Sequence, residues 1–223
     1  MELERHEPDR VEIDGQRYYR TPGGVYASVT TILKATVPAE DEKRLADWRE
    51  RAGPEEVAKV DELRDEGADR GSRMHAAVEA WVDDPFSDGP QETDDPWWNS
   101  IVPFLRKVVI RPVLCESAVW HDELRYGGTL DMVAWCRPGV LALLDWKSAR
   151  KKKKRKWIGD FIQQTAAYAE ALRWMTGVQI KDAVVVVAQE KEPADTFWIA
   201  EDELREAFAA FAKRARAFNA RTR

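Results

Sequence analysis

Hydrophobic positions along this chain change period several times, and each change marks an element. Val11 to Tyr19 alternates around Asp14-Gly15, the pattern of a small hairpin. Ser28-Val29-Thr30-Thr31-Ile32-Leu33 sets a hydroxyl cap before an apolar pattern and predicts a short helix packed on the core. Residues 40–66 are highly charged and helical in propensity, with Gly53-Pro54 as a break. A second helix is expected over about Ala68 to Val82, with Met74, Val78, Trp81 and Val82 on one face. Asp83 to Asp95 reads as an exposed connection. Trp97 to Val109 is a further helix, ended by Arg111-Pro112.

Three strands then follow, over about 113–121, 126–136 and 140–147, the last two joined at Arg137-Pro138-Gly139. Val140 to Asp145 is almost wholly apolar, as in a strand buried on both faces. Trp157 to Met175 is helical and closed by Gly177. Lys181 to Ala188 is a buried strand, Thr196 to Ile199 a shorter one, and from Asp202 an amphipathic helix runs with Leu204, Phe208 and Phe211 on one side. This order predicts a mixed α/β core.

With 223 residues, the chain suits one domain: a hairpin and helical embellishment over 1–66, a core over 67–200 and a terminal helix over 201–223. Charged residues at 34% and hydrophobic ones at 44% exclude a disordered chain, and no run approaches the ~18 apolar residues of a membrane span. The first residues are acidic and lack the apolar centre of a signal peptide, so a cytoplasmic protein is expected. Two cysteines, Cys115 and Cys136, make neither a disulfide framework nor a four-cysteine metal site and read as buried thiols. Net charge is −5, but from Lys147 to Lys156 eight residues in ten are basic. That patch, Lys151, Lys152, Lys153, Lys154, Arg155 and Lys156 included, leads into a helix start and suits phosphate, though solvated surface is the plain alternative.

Candidate chemistry concentrates on the strands. Asp131 sits inside an apolar run, Asp145 ends the next strand, and Lys147, two residues on, projects with it. Glu116 lies on the preceding strand, sharing a face with Leu114, Ala118 and Trp120, where a solvent-facing edge glutamate is the alternative. Carboxylates on adjacent strands repel one another unless a cation sits among them, and Mg²⁺ suits such oxygen ligands, with the Trp146 carbonyl as one more. His75, on the helix after Arg70-Gly71-Ser72, has Glu79 one turn on to orient it; a satisfied core histidine is the alternative. Phe161, Gln164, Tyr168, Leu172 and Met175 step by three or four, so Gln164 interrupts a core stripe and either it or Gln163 reaches the site.

Glu116, Asp131, Asp145-Trp146-Lys147 and Gln164 to Tyr168, preceded by His75, resemble the PD-(D/E)xK nuclease superfamily, and more narrowly its RecB-like exonuclease branch. The spacing of 14 between the aspartates and the Q-x-x-x-Y helix carry the resemblance. Ser28 to Leu33 and Arg70-Gly71-Ser72-x-x-His75 further resemble the mitochondrial genome maintenance exonuclease group with its phage and bacterial relatives. The resemblance implies a restriction-endonuclease-like core, a central mixed β-sheet flanked by helices. It implies His75, Glu116, Asp131, Asp145 and the Trp146 carbonyl as ligands of Mg²⁺, with Mn²⁺ able to substitute, and Lys147 as the catalytic lysine. Gln164, Tyr168, Arg70, Ser72 and the basic loop would then meet DNA, probed from single-stranded ends, in a cytoplasmic protein of bacterial or phage origin. Two cysteines are too few for the iron–sulfur cluster of some members, so none is expected. The implied activity is a metal-dependent DNA exonuclease of repair, recombination or replication. A non-catalytic DNA-binding module of a repair complex is the alternative.

Overall fold

The structure, a computed structural model, describes residues 3–84 and 88–221. Its strands are β1 (Arg10–Ile13), β2 (Gln16–Thr21), β3 (Gly24–Ser28), β4 (Val109–His121), β5 (Tyr126–Cys136), β6 (Val140–Ser148), β7 (Asp182–Ala188) and β8 (Asp195–Ile199). They form one mixed sheet in the order β1-β2-β3-β5-β6-β7-β8, with β4 on the remaining edge of β5. The helices are α1 (Val29–Ala35), α2 (Ala39–Asp83), α3 (Pro96–Val108), α4 (Gly159–Thr176) and α5 (Glu201–Arg221).

Alternation along β7 separates the two faces. Ala183, Val185 and Val187 join a core with α1, α4 and α5, while Val184, Val186 and Ala188 join one with α3 and the C-terminal part of α2. Helices thus cover both faces of a sheet whose central strands are buried over Ala142 to Trp146 of β6 and Ala183 to Ala188 of β7, as the apolar run of β6 predicts.

The N-terminal hairpin turns at Asp14-Gly15, both at positive φ (51° and 72°), and Ser28 caps α1 by accepting from the Thr31 N–H. β3, which the sequence pattern does not separate from the cap, pairs with β2 and, in parallel, with the start of β5. Gly53 (φ 77°) does kink the charged helical segment, but no break falls near residue 67: one helix runs from Pro54 to Asp83. Only Arg70, Met74 and Val78 of α2 are buried, so its earlier turns stand away from the core. α3 stops at Val108, earlier than Arg111-Pro112 suggests, and Pro112 lies within β4, whose register against β5 shifts between Pro112 and Leu114. Within the expected connection between α2 and α3, residues 85–87 lie outside the described residues.

Candidate active site

Two strands part company at the centre of the sheet. β5 and β6 are paired antiparallel as far as Met132 and Leu144; beyond them come Asp131 and Asp145. From there β6 runs on beside β7, while the first residues of β5 turn to β3 as partner. The Trp146 N–H, which has no β5 carbonyl to meet, donates instead to Asp131 Oδ2 at 2.7 Å. Gly127 and Gly128 lie inside β5 and form no turn before Asp131. A Cβ at Gly128 would stand 2.3 Å from the Tyr168 ring, so the glycine is what lets α4 lay that ring on the strand.

Side-chain alternation also inverts here. Tyr126 and Leu130 pack on the α4 side, but Met132, Ala134 and Cys136 pack on the α3 side. Opposite, Cys115 pairs with Met132 and Ser117 with Leu130, which sets Glu116 across from Asp131. Glu116 has φ 47°, so β4 is locally kinked and its regular face sharing with Leu114 and Ala118 does not hold. The edge is also covered, since the Ala118 N–H donates to the His6 carbonyl. Glu116 therefore points into the molecule: its Oε1 lies 2.8 Å from His75 Nδ1.

His75, Glu116 and Asp131 each offer a ligand atom within 4.8 Å of the others. His75 Nδ1 lies 3.7 Å from Asp131 Oδ1. Burial opposes charge on His75, but Asp131 and the hydrogen-bonded Glu116 outweigh it and raise the imidazole to about 9. Glu79 does not orient His75, because Arg5 takes its carboxylate as well as those of Glu7 and Asp83. Helical spacing placed Glu79 beside the ring, but the tertiary partner won.

Asp145 is wholly buried and stands outside that group of three. Its carboxylate contacts the Lys147 ammonium at 2.5 Å, with neither oxygen in a hydrogen bond of ordinary geometry. Burial and the nearby Asp131 push it up to about 6 against the pull of Lys147. Burial likewise raises Asp131, opposed by His75 and Lys147. Burial alone would lower Lys147, yet Asp145 and Asp131 hold it above its ordinary value. Lys147 Nζ also donates to the Trp146 carbonyl (3.3 Å) and sits 5.4 Å from the Phe161 ring centre. The Trp146 indole itself is buried on the α3 side.

His75, Glu116, Asp131 and Lys147 face a cleft of about 460 Å³ walled by α2, α4, the β1–β2 hairpin and the start of α1, with Asp145 buried behind them and not in its lining. Of the two glutamines, Gln164 lines it and donates to the Tyr168 hydroxyl (3.0 Å), whereas Gln163 accepts from Arg214. Ser72 lines it too. Arg70 does not: its guanidinium is buried 4.2 Å from the Trp97 ring centre, and its Nε donates to Ser148. Lys151 to Lys156 also lie off the cleft. Arg155 there is paired with Glu203, and the Lys153 N–H donates to Asp195. Sequence reasoning missed Arg10, Arg17, Tyr19, Thr30 and Thr129, which line the cleft from the hairpin side. Arg10 Nη2 donates to Thr129 Oγ1 (2.9 Å), which also lies 3.0 Å from the Tyr19 hydroxyl. Nothing local distinguishes these residues from ordinary strand positions; long-range pairing brings them in.

The site sets buried carboxylates beside an ammonium on a mixed sheet flanked by helices, and comparison with known proteins finds relatives named as exonucleases. The chain is similar to mitochondrial genome maintenance exonuclease 1 of Mus musculus, at 30% identity over 189 residues, covering 78% of this chain and 53% of that protein. The Xenopus tropicalis protein of the same name is 29% identical over 196 residues (80% and 53%), and the Homo sapiens one 30% over 189 (74% and 49%). The chain thus spans about half the length of these relatives. No protein-family model matches it. All three relatives are vertebrate proteins, which lends no support to a bacterial or phage origin. Among the described residues, no helix is long and apolar enough to cross a membrane.

Proposed function

We propose that the chain is a divalent-metal-dependent DNA exonuclease built on a restriction-endonuclease-like core of the PD-(D/E)xK superfamily, RecB-like branch. It would act from single-stranded ends in DNA repair, recombination or replication. The observation that carries this reading is the convergence of Asp131, Asp145, Lys147, Glu116 and His75 where β5 and β6 part.

The donor set fits a metal. Asp145 presents two buried oxygens with no hydrogen bond of ordinary geometry and only the Lys147 ammonium against them, while the buried Asp131 stands near by, so a further cation would ease the crowding of carboxylates. Hard oxygen donors with one imidazole suit Mg²⁺ or Mn²⁺, held by Asp131, Asp145, Glu116 and His75 with the Trp146 carbonyl in reserve. Such an ion supplies Lewis acidity and eases the deprotonation of water. The protein's own groups do the rest. Lys147 keeps its proton beside Asp145 and offers a positive charge to the phosphate as negative charge builds there. Asp131, held by the Trp146 N–H, fixes the spacing of the two diverging strands. Gln164, Tyr168 and Ser72 form the wall against which a nucleotide would rest, and the exposed lysines beyond β6 add positive potential that draws a polyanion in.

The test is digestion of end-labelled single- and double-stranded DNA with Mg²⁺ or Mn²⁺, beside EDTA and Asp145→Asn controls. Metal-dependent shortening lost in Asp145→Asn is the expected result, and the labelled end gives polarity. Folded protein that binds DNA yet cuts neither form would sink the nuclease in favour of a binding module.

A further inference from the structure

The β1–β2 hairpin and the start of α1 bring basic groups to the site that the chemistry above leaves unused. Arg10, Arg17 and Thr30 line the cleft together with Lys147. Arg17 and Thr30 also line a second open groove, of about 540 Å³, whose charged members are Glu12, Arg17 and Lys34. The two depressions, together called the trough, share Arg17 and Thr30, so cations stand on both sides of one common wall, from Lys147 to Lys34.

That wall is tied down. The Thr31 hydroxyl donates to the Arg17 carbonyl (2.9 Å), locking β2 to α1, and Arg10 is anchored on Thr129, two residues before Asp131. Among the described residues the guanidinium of Arg17 and the ammonium of Lys34 have no ion-pair partner, and both side chains are exposed. Four cations, Arg10, Arg17, Lys34 and Lys147, thus face two carboxylates outside the metal-ligand set, Glu12 and the Glu79 already paired with Arg5. The aromatic rings lining the trough, Tyr19 and Tyr168, have their hydroxyls engaged with Thr129 and Gln164 and are buried. Such a lining meets a phosphate backbone and offers no exposed stacking platform, which favours contact independent of sequence.

We propose that the substrate strand follows this trough, its phosphates passing from Lys147 by Arg10 and Arg17 to Lys34. The inference rests on the nuclease reading for the chemistry at Lys147, and it names the side from which the strand is held. The lysine-rich loop lines neither groove, so it would attract the strand without setting its path.

The test is binding of a fluorescent 12-nucleotide oligothymidylate in EDTA across a salt series, comparing wild-type protein with Arg17→Gln/Lys34→Gln. Each phosphate contact on a single strand contributes about 0.7 to the slope of log affinity against log salt. Loss of two contacts should lower the slope by about 1.4 and weaken binding about 25-fold at roughly 0.1 M salt. Thermal unfolding checks that the variant is folded. An unchanged slope overturns the proposal, as does finding the whole slope loss in Lys151→Gln/Lys152→Gln instead. Should the Arg17→Gln/Lys34→Gln variant show the slope loss while wild-type protein cuts no DNA with metal, the trough stands and the nuclease reading falls. If it cuts DNA while the slope ignores those two residues, the trough alone is lost.

Discussion

Gly128→Ala tests the tightest contact behind the site. An added Cβ would stand 2.3 Å from Tyr168 Cε1, 3.1 Å from Cζ and 3.2 Å from Cδ1. Ordinary contact begins near 3.4 Å, so the ring must retreat by 3.4 − 2.3, or 1.1 Å. It has little freedom to do so, being 4% exposed and joined through its hydroxyl to Gln164. Overpacking of this sort costs about 1–3 kcal/mol. Replacing glycine by alanine within a strand returns about 0.5–1 kcal/mol, which leaves a net loss of about 0–2.5 kcal/mol. The effect on turnover should be larger, since Tyr168 and Gln164 wall the cleft, and a displacement of about 1 Å costs on the order of 100-fold in rate. Urea unfolding and initial rates on end-labelled single-stranded DNA measure the two separately. Gly128→Ala/Tyr168→Leu should regain stability without regaining rate, because space is restored but the wall is not. Wild-type stability together with a rate within about twofold of wild type would refute the argument that this glycine sets the position of α4 against the site.

Lys147→Ala should abolish cleavage while DNA binding stays measurable; substantial residual turnover would remove the lysine from its assigned role. The same change strips wholly buried Asp145 of its ion partner, so about 3–5 kcal/mol of stability should be lost in metal-free denaturation. Adding Mg²⁺ or Mn²⁺ to wild-type protein should raise the unfolding temperature, by the equivalent of about 2.7 kcal/mol at a hundred times the dissociation constant. His75→Ala should need more metal for the same rise, and an unchanged metal titration would return His75 to a structural role. His121 supplies a pH prediction remote from the site. Burial depresses its imidazole below the ordinary 6.5, where it stacks on Trp174 and accepts from the Leu124 N–H. The unfolded chain therefore binds the proton more readily, so stability should fall as pH drops below about 6.5 toward the depressed folded value. In His121→Phe that part of the pH dependence should vanish from thermal melts at pH 5–7; its persistence would assign the effect to other groups.

Residues whose role is set by local pattern were legible in the sequence. The apolar run of β6 and the i, i+2 relation of Asp145 and Lys147 follow from strand geometry alone, and the two side chains do meet. Ser28 caps α1 as its position before an apolar run implies. Legibility ends where the partner is remote. Glu79 is the natural helical neighbour of His75, yet Arg5 claims it, and Glu116 reaches the imidazole only because β4 kinks at a non-glycine residue of positive φ. Periodicity treats each strand as regular, whereas this site exists because β4 and β5 are irregular at facing positions. Arg70, implied by the resemblance as a DNA contact beside Ser72, is instead buried against Trp97 of α3, a partner that helical spacing alone does not reveal.

The hairpin arginines show the same limit from the other side. Arg10 and Arg17 sit in short exposed strands that no local rule would link to Asp131. They reach it because β3 pairs in parallel with β5 at Tyr126 and Gly127, directly before the point where β6 has left that edge. One edge of β5 is thus shared by two partners, and the unpaired stretch between them, residues 128–131, is where the acidic and basic groups meet. A sheet strand deprived of a neighbour normally invites a stray strand or leaves backbone groups unsatisfied. Here Asp131 takes the Trp146 N–H across the gap, while Tyr168 covers Gly128 from the α4 side. The break in pairing therefore explains both the cleft and the residues that line it, without any strand having to be designed around a ligand.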